Sequence, residues 1–458
     1  NEGVSATASL EVALQRGFVI KDEESNDYNS KSVSNAGDVN GDGLDDLIVG
    51  DYLANPSNKN NAGKSYVIFG KTNTTAINLS DITGGTGGFA IYGEAARDQS
   101  GRSVSSAGDV NGDGLDDLIV GASGANYSNE GSTGKSYVIF GKTNTTAINL
   151  SDITGGTGGF AINGEAVRDH SGWSVSSAGD VNGDGLDDLI VGAWIANSEA
   201  GKTYVVFGKT DSTVINLSDI VLGTGGFVIN GVAAKDWSGH SVSSAGDVNG
   251  DGLDDLIVGA WGANKSYVVF GKTNTTAINL SDIAGGTGGF VINGEKVGDY
   301  SGLSVSSAGD VNGDGLDDLI VSAHYATSNN KAKAGKTYVV FGKTNTTAIN
   351  LSDIAGGTGG FVLNGEKVED FSGTSVSSAG DVNGDGLDDL IIGARNLNGY
   401  KGVTYVVFGK INTDAINLSA IVSGTGGFVI SGESEGNGRS VSSAGDVNGD
   451  GLDDLIVG

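Results

Sequence analysis

The apolar positions of this chain come in short bursts separated by glycine and polar turns, and the same bursts return in the same order. The run DLIVGA at 117–122 is continuously apolar after its first residue, as expected of a strand covered on both faces. YVIFG at 137–141 is β-branched and aromatic, again strand-like. SVSSAG at 103–108 carries only small side chains, which suits a strand crowded around a central axis. GFAIN at 159–163 makes a fourth strand between glycine-rich turns. No helical period is sustained anywhere, and the linker AINLSDI predicts at most one short turn of helix.

This unit is written seven times. The undecapeptide AGDVNGDGLDD occurs unchanged with its first aspartate at Asp38, Asp109, Asp180, Asp247, Asp310, Asp381 and Asp446, at intervals of 71, 71, 67, 63, 71 and 65 residues. A period of that size means one supersecondary unit per repeat. Four antiparallel strands repeated seven times predict an all-β chain, a seven-bladed β-propeller of four-stranded antiparallel blades with one copy of the undecapeptide loop in each blade, spanning 1–458 as a single domain. An open solenoid would need polar terminal caps, and none is visible.

The ends predict closure. GFxI-type strands occur seven times, at Phe18, Phe89, Phe160, Phe227, Phe290, Phe361 and Phe428, but YVxFG strands only six times, at Tyr66, Tyr137, Tyr204, Tyr267, Tyr338 and Tyr405. The alternating segment 8–14 and the strand Gly17–Ile20 are the complement of what the last copy lacks. Residues 8–20 are therefore expected to complete the last blade begun by 428–458, in the same molecule. The same strands given to a neighbour would build an extracellular filament or sheath by strand donation.

The repeated loop reads D-x-N-x-D-G-x-x-D. Oxygen donors at positions 1, 3 and 5 converge when such a loop curls around one ion, glycine at 6 makes the sharp turn, and position 7 offers its carbonyl. The expected ligands are Asp38, Asn40, Asp42, Leu44 (carbonyl) and Asp46, repeated as Asp109, Asn111, Asp113, Leu115, Asp117; Asp180, Asn182, Asp184, Leu186, Asp188; Asp247, Asn249, Asp251, Leu253, Asp255; Asp310, Asn312, Asp314, Leu316, Asp318; Asp381, Asn383, Asp385, Leu387, Asp389; and Asp446, Asn448, Asp450, Leu452, Asp454. Hard oxygen donors without nitrogen or sulfur select Ca2+ over zinc or copper, about seven ions in all. Charge supports this. The chain holds 56 acidic against 26 basic residues, a formal −30, and the seven motifs contain 28 of the acids.

Composition narrows the rest. Glycine is abundant (80) and proline single (Pro56), without a collagen period. Cysteine is absent, which removes disulfides, thiolate zinc sites and cysteine nucleophiles. The acidic balance disfavours nucleic acid, and no run of about 20 apolar residues predicts a membrane span. Methionine is also absent, so the chain is expected to be a processed or partial product. The linker sequons at Asn73 and Asn78 would accept glycans in a suitable host.

The run SVSSAGDVNGDGLDDLIVGA followed by YVVFG resembles the FG-GAP repeat of integrin α-subunit propellers and related bacterial surface proteins, over essentially the whole chain. The resemblance implies a seven-bladed propeller with calcium between the first and second strands, an extracellular or cell-surface location, and a role in adhesion, ligand binding or surface scaffolding. The proline of the family's GAP element is replaced by VGA, VGD or VSA, and no integrin-type leg or inserted domain is present.

Strand alternation puts the acid loops and the near-identical linkers on one face, and two variable loop sets on the other. The variable positions run Asp27-Tyr28, Asp98-Gln99, Asp169-His170, Asp236-Trp237, Asp299-Tyr300 and Asp370-Phe371, with Arg102, Trp173, His240, Leu303 or Thr374 before the first strand and Tyr52, Trp194, Trp261, His324 and Arg395 after the second. Aromatics beside carboxylates suit a protein or polysaccharide ligand, whereas each ring taken singly also suits core packing between blades. The repeated aspartate suits a turn cap. No nucleophile elbow, phosphate loop or zinc motif occurs, so no catalytic residue is assigned, and a carbohydrate-active enzyme on the variable face stays an alternative.

Overall fold

The computed structural model describes residues 17–21, 32–128, 131–395, 401–432 and 437–458. The second copy shows how the repeat folds. Ser103–Gly108, Asp117–Ala122, Lys135–Ile139 and Gly159–Asn163 form an antiparallel sheet in sequence order, and the linker between the last two contributes the short helix Leu150–Thr154. The second strand is buried along its whole length, because blades cover it on both faces; the first strand buries only Val104 and Ala107. Each hydrophobic cluster lies between blades. One of them joins Ala36, Val67 and Phe89 of the first copy to Leu118, Val120 and Tyr137 of the second.

Each linker also straps the preceding blade. Ile215–Asn216 of the third copy runs parallel to the outer strand Gly159–Asn163 of the second, as a fifth strand, and four other blades are strapped in the same way. The FG element adds an edge-to-face ring pair, such as Phe140 and Phe160 at 6.1 Å, in six copies.

The first strands close a ring. Val104 N–H donates to Ser32 Oγ at 3.3 Å, and the bond recurs from copy to copy until Val33 N–H donates to Ser440 Oγ at 3.1 Å. Small side chains are needed where the strands crowd. A Cβ on Gly50, the glycine of the VGD triplet, would lie 2.2 Å from the carbonyl oxygen of Gly101.

The blade count differs from the expected seven. Six four-stranded blades are present among the described residues, and the seventh copy contributes only the hairpin Val441–Gly445 and Asp454–Val457. Among the described residues no third or fourth strand joins that hairpin, and the 8–14 segment expected to complete it lies outside the described residues. Ile20–Lys21 pairs parallel with Ile77–Asn78, and Phe18 and Ile20 pack on a cluster shared by Leu47, Tyr66, Ala444 and Ile456. The helix predicted in the linkers is present in every copy that carries a described linker, as in Leu79–Thr83.

Candidate functional site

Two rims carry the chemistry. On one, each acid loop leaves the first strand through a bulge, as at Asn35/Gly37. Asp38 accepts from the N–H groups of Gly41, Asp42 and Gly43 at 2.7, 3.1 and 2.9 Å, and Asp42 accepts from Leu44 N–H at 3.0 Å. Asp46, fully buried, accepts from Gly70 N–H at 2.8 Å and Val39 N–H at 3.1 Å. The glycine of the FG element thus holds the last acid of the loop, and this bond recurs in six copies. Burial, reinforced by the charges of Asp42 and Asp38, pushes the Asp46 carboxyl up to about 7 and its equivalents Asp188, Asp255 and Asp318 to about 8.

The donors suit calcium in kind, since every side chain of the set offers oxygen. In this arrangement, however, the loop is closed by N–H donors: Asn40 Nδ2 faces both oxygens of Asp46 at 3.3 Å. Turned over, the same amide would present its oxygen. Among the described residues no three acidic or histidine side chains are grouped as a ready-made cage.

A role the spacing did not suggest belongs to the eighth residue of the motif. Asp116 Oδ2 accepts from Asp38 N–H of the preceding copy at 2.8 Å, and the bond repeats around the ring until Asp45 accepts from Asp446 N–H at 2.8 Å. Half of the DD pair is therefore an inter-copy staple. It also explains the glycine before the loop: Gly37 has φ +71°, and a Cβ there would lie 2.3 Å from Asp116 Oδ2.

On the opposite rim the repeated aspartate caps a turn, as its sequence position suggested. Asp98 accepts from Ala95 N–H at 2.9 Å, and Asp169, Asp236 and Asp370 do the same. The following variable residue is left-handed in five copies, with φ between 51° and 55° at Gln99, His170, Trp237, Tyr300 and Phe371. A bulky side chain seldom adopts that backbone, and here the turn imposes it.

Glu94 and Asp98 line a shallow cavity of about 270 Å3 with Arg97, Tyr127 and Lys135. Their carboxyls are driven apart. Burial and the Glu94 charge push Asp98 up to about 6, while donors from Tyr137 and Lys135 outweigh burial and hold Glu94 low. That is the electrostatic pattern of an acid–base pair. Yet Glu165 and Glu295 are tied in the same way to Lys202 and Tyr204 and to Lys336 and Tyr338, each across a blade boundary. Recurrence at successive boundaries identifies a structural tie.

The aromatics of the variable rim come together. Trp173 lies 5.1 Å from Trp194, Trp194 6.3 Å from Trp237, Trp237 4.3 Å from Trp261, Trp261 5.2 Å from Tyr300 and Tyr300 4.9 Å from Tyr325. With the tryptophans half-buried and the tyrosines exposed, they form a contiguous arc along the rim. His240 and His324, sunk beside them, are held down to about 4 by burial. Tyr52, Arg102 and Arg395 lie on the same rim; Tyr28 lies outside the described residues.

A model of the FG-GAP repeat matches residues 32–68, 100–139, 171–206, 238–278, 301–340 and 372–407, six repeats. Integrin alpha pat-2 of Caenorhabditis briggsae is 29% identical over 260 residues, covering 54% of this chain and 19% of the relative. Integrin alpha-V of Gallus gallus is 28% identical over 233 residues, 50% of this chain and 20% of the relative. The phosphatidylinositol-glycan-specific phospholipase D of Dictyostelium discoideum is 28% identical over 208 residues, 42% and 21% respectively. The chain thus spans about a fifth of the length of the relatives it matches.

Proposed function

The chain belongs to the FG-GAP repeat family, and from that premise we propose that it is an extracellular, calcium-binding β-propeller that serves in adhesion or ligand binding and performs no catalysis. The observation that carries this reading is the division of the two rims. Copies that are nearly identical on the loop side differ on the other, and the side chains that differ gather there into one surface. No described helix is long and apolar enough to cross a membrane, which is compatible with that location.

In the proposed metal centres, Asp38, Asn40, Asp42, the Leu44 carbonyl and Asp46 would hold one ion, and the equivalent residues would do so in the other copies. A bound Ca2+ would supply a cross-link between the start and the end of each loop and offset the repulsion among its carboxylates. The protein's own contribution is to bury Asp46, to fix it through Gly70 and to hold the loop against the next copy through Asp116. Against catalysis stands the use of the paired carboxylates as ties and turn caps.

Thermal unfolding in millimolar calcium and in chelator, with light scattering for mass, tests the reading. A Tm that falls on chelation, in a particle that stays monomeric, is expected. An unchanged Tm refutes the metal assignment, and growth in mass with calcium would favour strand donation between molecules.

A further inference from the structure

Three of the six arginines in this strongly acidic chain gather at one place on the variable rim. Arg102 directly precedes the first strand of the second copy, Arg439 lies two residues before that of the seventh, and Arg395 directly follows the second strand of the sixth. Those first strands flank that of the first copy, as the bonds Val104 N–H to Ser32 Oγ and Val33 N–H to Ser440 Oγ establish. Tyr52 sits between them. Arg102 hydrogen-bonds Tyr52, and its guanidinium carbon lies 5.1 Å from that ring and 3.6 Å from the ring of Trp173. The cations feel one another: Arg439 and Arg102 repel, and Arg395 and Arg439 repel. Among the described residues none of the three has a carboxylate within ion-pair distance.

This arrangement is costly without a ligand. Like charges at short range repel, and burial of Arg102 removes the water that would screen it. Stacking on Trp173 and Tyr52 holds the guanidinium in place without neutralising it. In a molecule of formal charge −30, such a cluster is a local concentration of positive charge. A guanidinium fork binds a carboxylate or a sulfate through two parallel hydrogen bonds. From Arg102 the surface passes without a break into Trp173 and the rest of the aromatic arc. Flat, half-exposed rings offer stacking faces to the apolar sides of sugar rings. Beside them Trp194 Nε1, Trp261 Nε1 and the Nδ1 atoms of His240 and His324 are buried and have no hydrogen-bond partner among the described residues.

We propose that this rim is a binding site for an acidic polysaccharide, with a carboxylate or sulfate seated among Arg102, Arg395 and Arg439 and the adjoining sugars stacked on the arc that begins at Trp173. The overall negative charge selects against densely charged polymers such as nucleic acids and favours a chain in which acidic and neutral sugars alternate. The inference rests on the reading of this face as the ligand-binding one, and it names the ligand class.

The test is calorimetric titration of the full chain in calcium with four probes: hyaluronan oligosaccharides, which carry carboxylates; chondroitin sulfate oligosaccharides, which add sulfates; neutral chitin oligosaccharides; and a polyglutamate peptide. Binding of the acidic sugars, with a change in tryptophan fluorescence and an affinity that falls with salt, is expected. The stronger of the two acidic probes identifies the anionic group. Arg102→Ala and Arg439→Ala should each weaken binding about tenfold or more, the loss of a charge-assisted contact. Arg439 is exposed, so Arg439→Ala should keep the parent Tm and remain informative if Arg102→Ala or Trp173→Ala unfolds. Equal binding of the chitin probe, preference for polyglutamate, unchanged affinity in both arginine variants, or no binding of any probe each overturns the proposal. Stabilisation by calcium, or the capture of a different ligand on this rim, would in those cases leave the adhesion reading standing.

Discussion

Single residues in this molecule are constrained by what the next copy places against them. Gly37 is the plainest case. Its backbone is left-handed at φ +71°, and the Asp116 carboxylate occupies the space of a β-carbon. Gly37→Ala should therefore cost about 1–3 kcal/mol from backbone strain and displacement of that carboxylate. Asp116→Ala alone should cost about 1–3 kcal/mol by leaving Asp38 N–H without its acceptor. The double variant should lose less than the two costs combined, since both changes break the same bond, and chemical denaturation of the four proteins reads this out. Asp98 makes a prediction about pH. Its folded carboxyl holds its proton up to about 6, above the usual 3.8, chiefly because it is buried. The folded state thus binds that proton more tightly than the unfolded chain, so its stabilising effect is complete below pH 4, declines as pH rises and is gone above pH 6. Asp98→Asn retains an oxygen for Ala95 N–H and does not titrate. The variant should gain on the parent between pH 4 and pH 7 in Tm measured across that range; a constant difference would refute the assignment.

At the scale of strands and loops, much of the architecture was legible because the repeat exposes its own grammar. DLIVGA is apolar after its aspartate and buried on both faces; SVSSAG is small and lines the ring; AINLSDI makes its short helix. What was not legible depends on partners far away in the chain. Motif position singles out Asp46 but says nothing of Asp45, whose partner is the neighbouring copy, while Asp46 binds the FG glycine of its own. The parallel fifth strand formed by two linker residues is too short to leave a pattern. The variable aromatics were found by comparing copies, but their union into an arc follows from blade geometry, and so does the stacking of Arg102. A complete seventh blade depends on residues 8–20 supplying what the last copy lacks, and among the described residues that copy is only the hairpin Val441–Gly445 and Asp454–Val457. Ties between blades yield a third prediction. Tyr204 and Lys202 both donate to Glu165 across a boundary. Tyr204→Phe keeps the ring and removes one donor to a charged acceptor, which should cost about 1–3 kcal/mol and leave ligand binding on the rim unchanged.

For the whole molecule, the decisive contact is the one that joins the ends of the chain. Every other neighbouring pair of copies is linked covalently, so a lost hydrogen bond between them leaves the copies tethered at short range. The first and last copies meet only through non-covalent contacts, among them Asp446 N–H to Asp45 and Val33 N–H to Ser440, at separations of 401 and 407 residues. Opening there releases a long loop and regains its entropy, whereas opening elsewhere releases little. Two variants that remove the same bond should therefore differ. Asp254→Ala deletes the acceptor for Asp180 N–H inside the ring, and Asp45→Ala deletes the acceptor at the seam. Hydrogen exchange followed by mass spectrometry should show faster exchange confined near the changed loop for Asp254→Ala. For Asp45→Ala it should show faster exchange along both Ser32–Gly37 and Val441–Gly445, because the seam opens as a unit. Equal, local effects in the two variants would mean that the seam is no weaker than any other boundary.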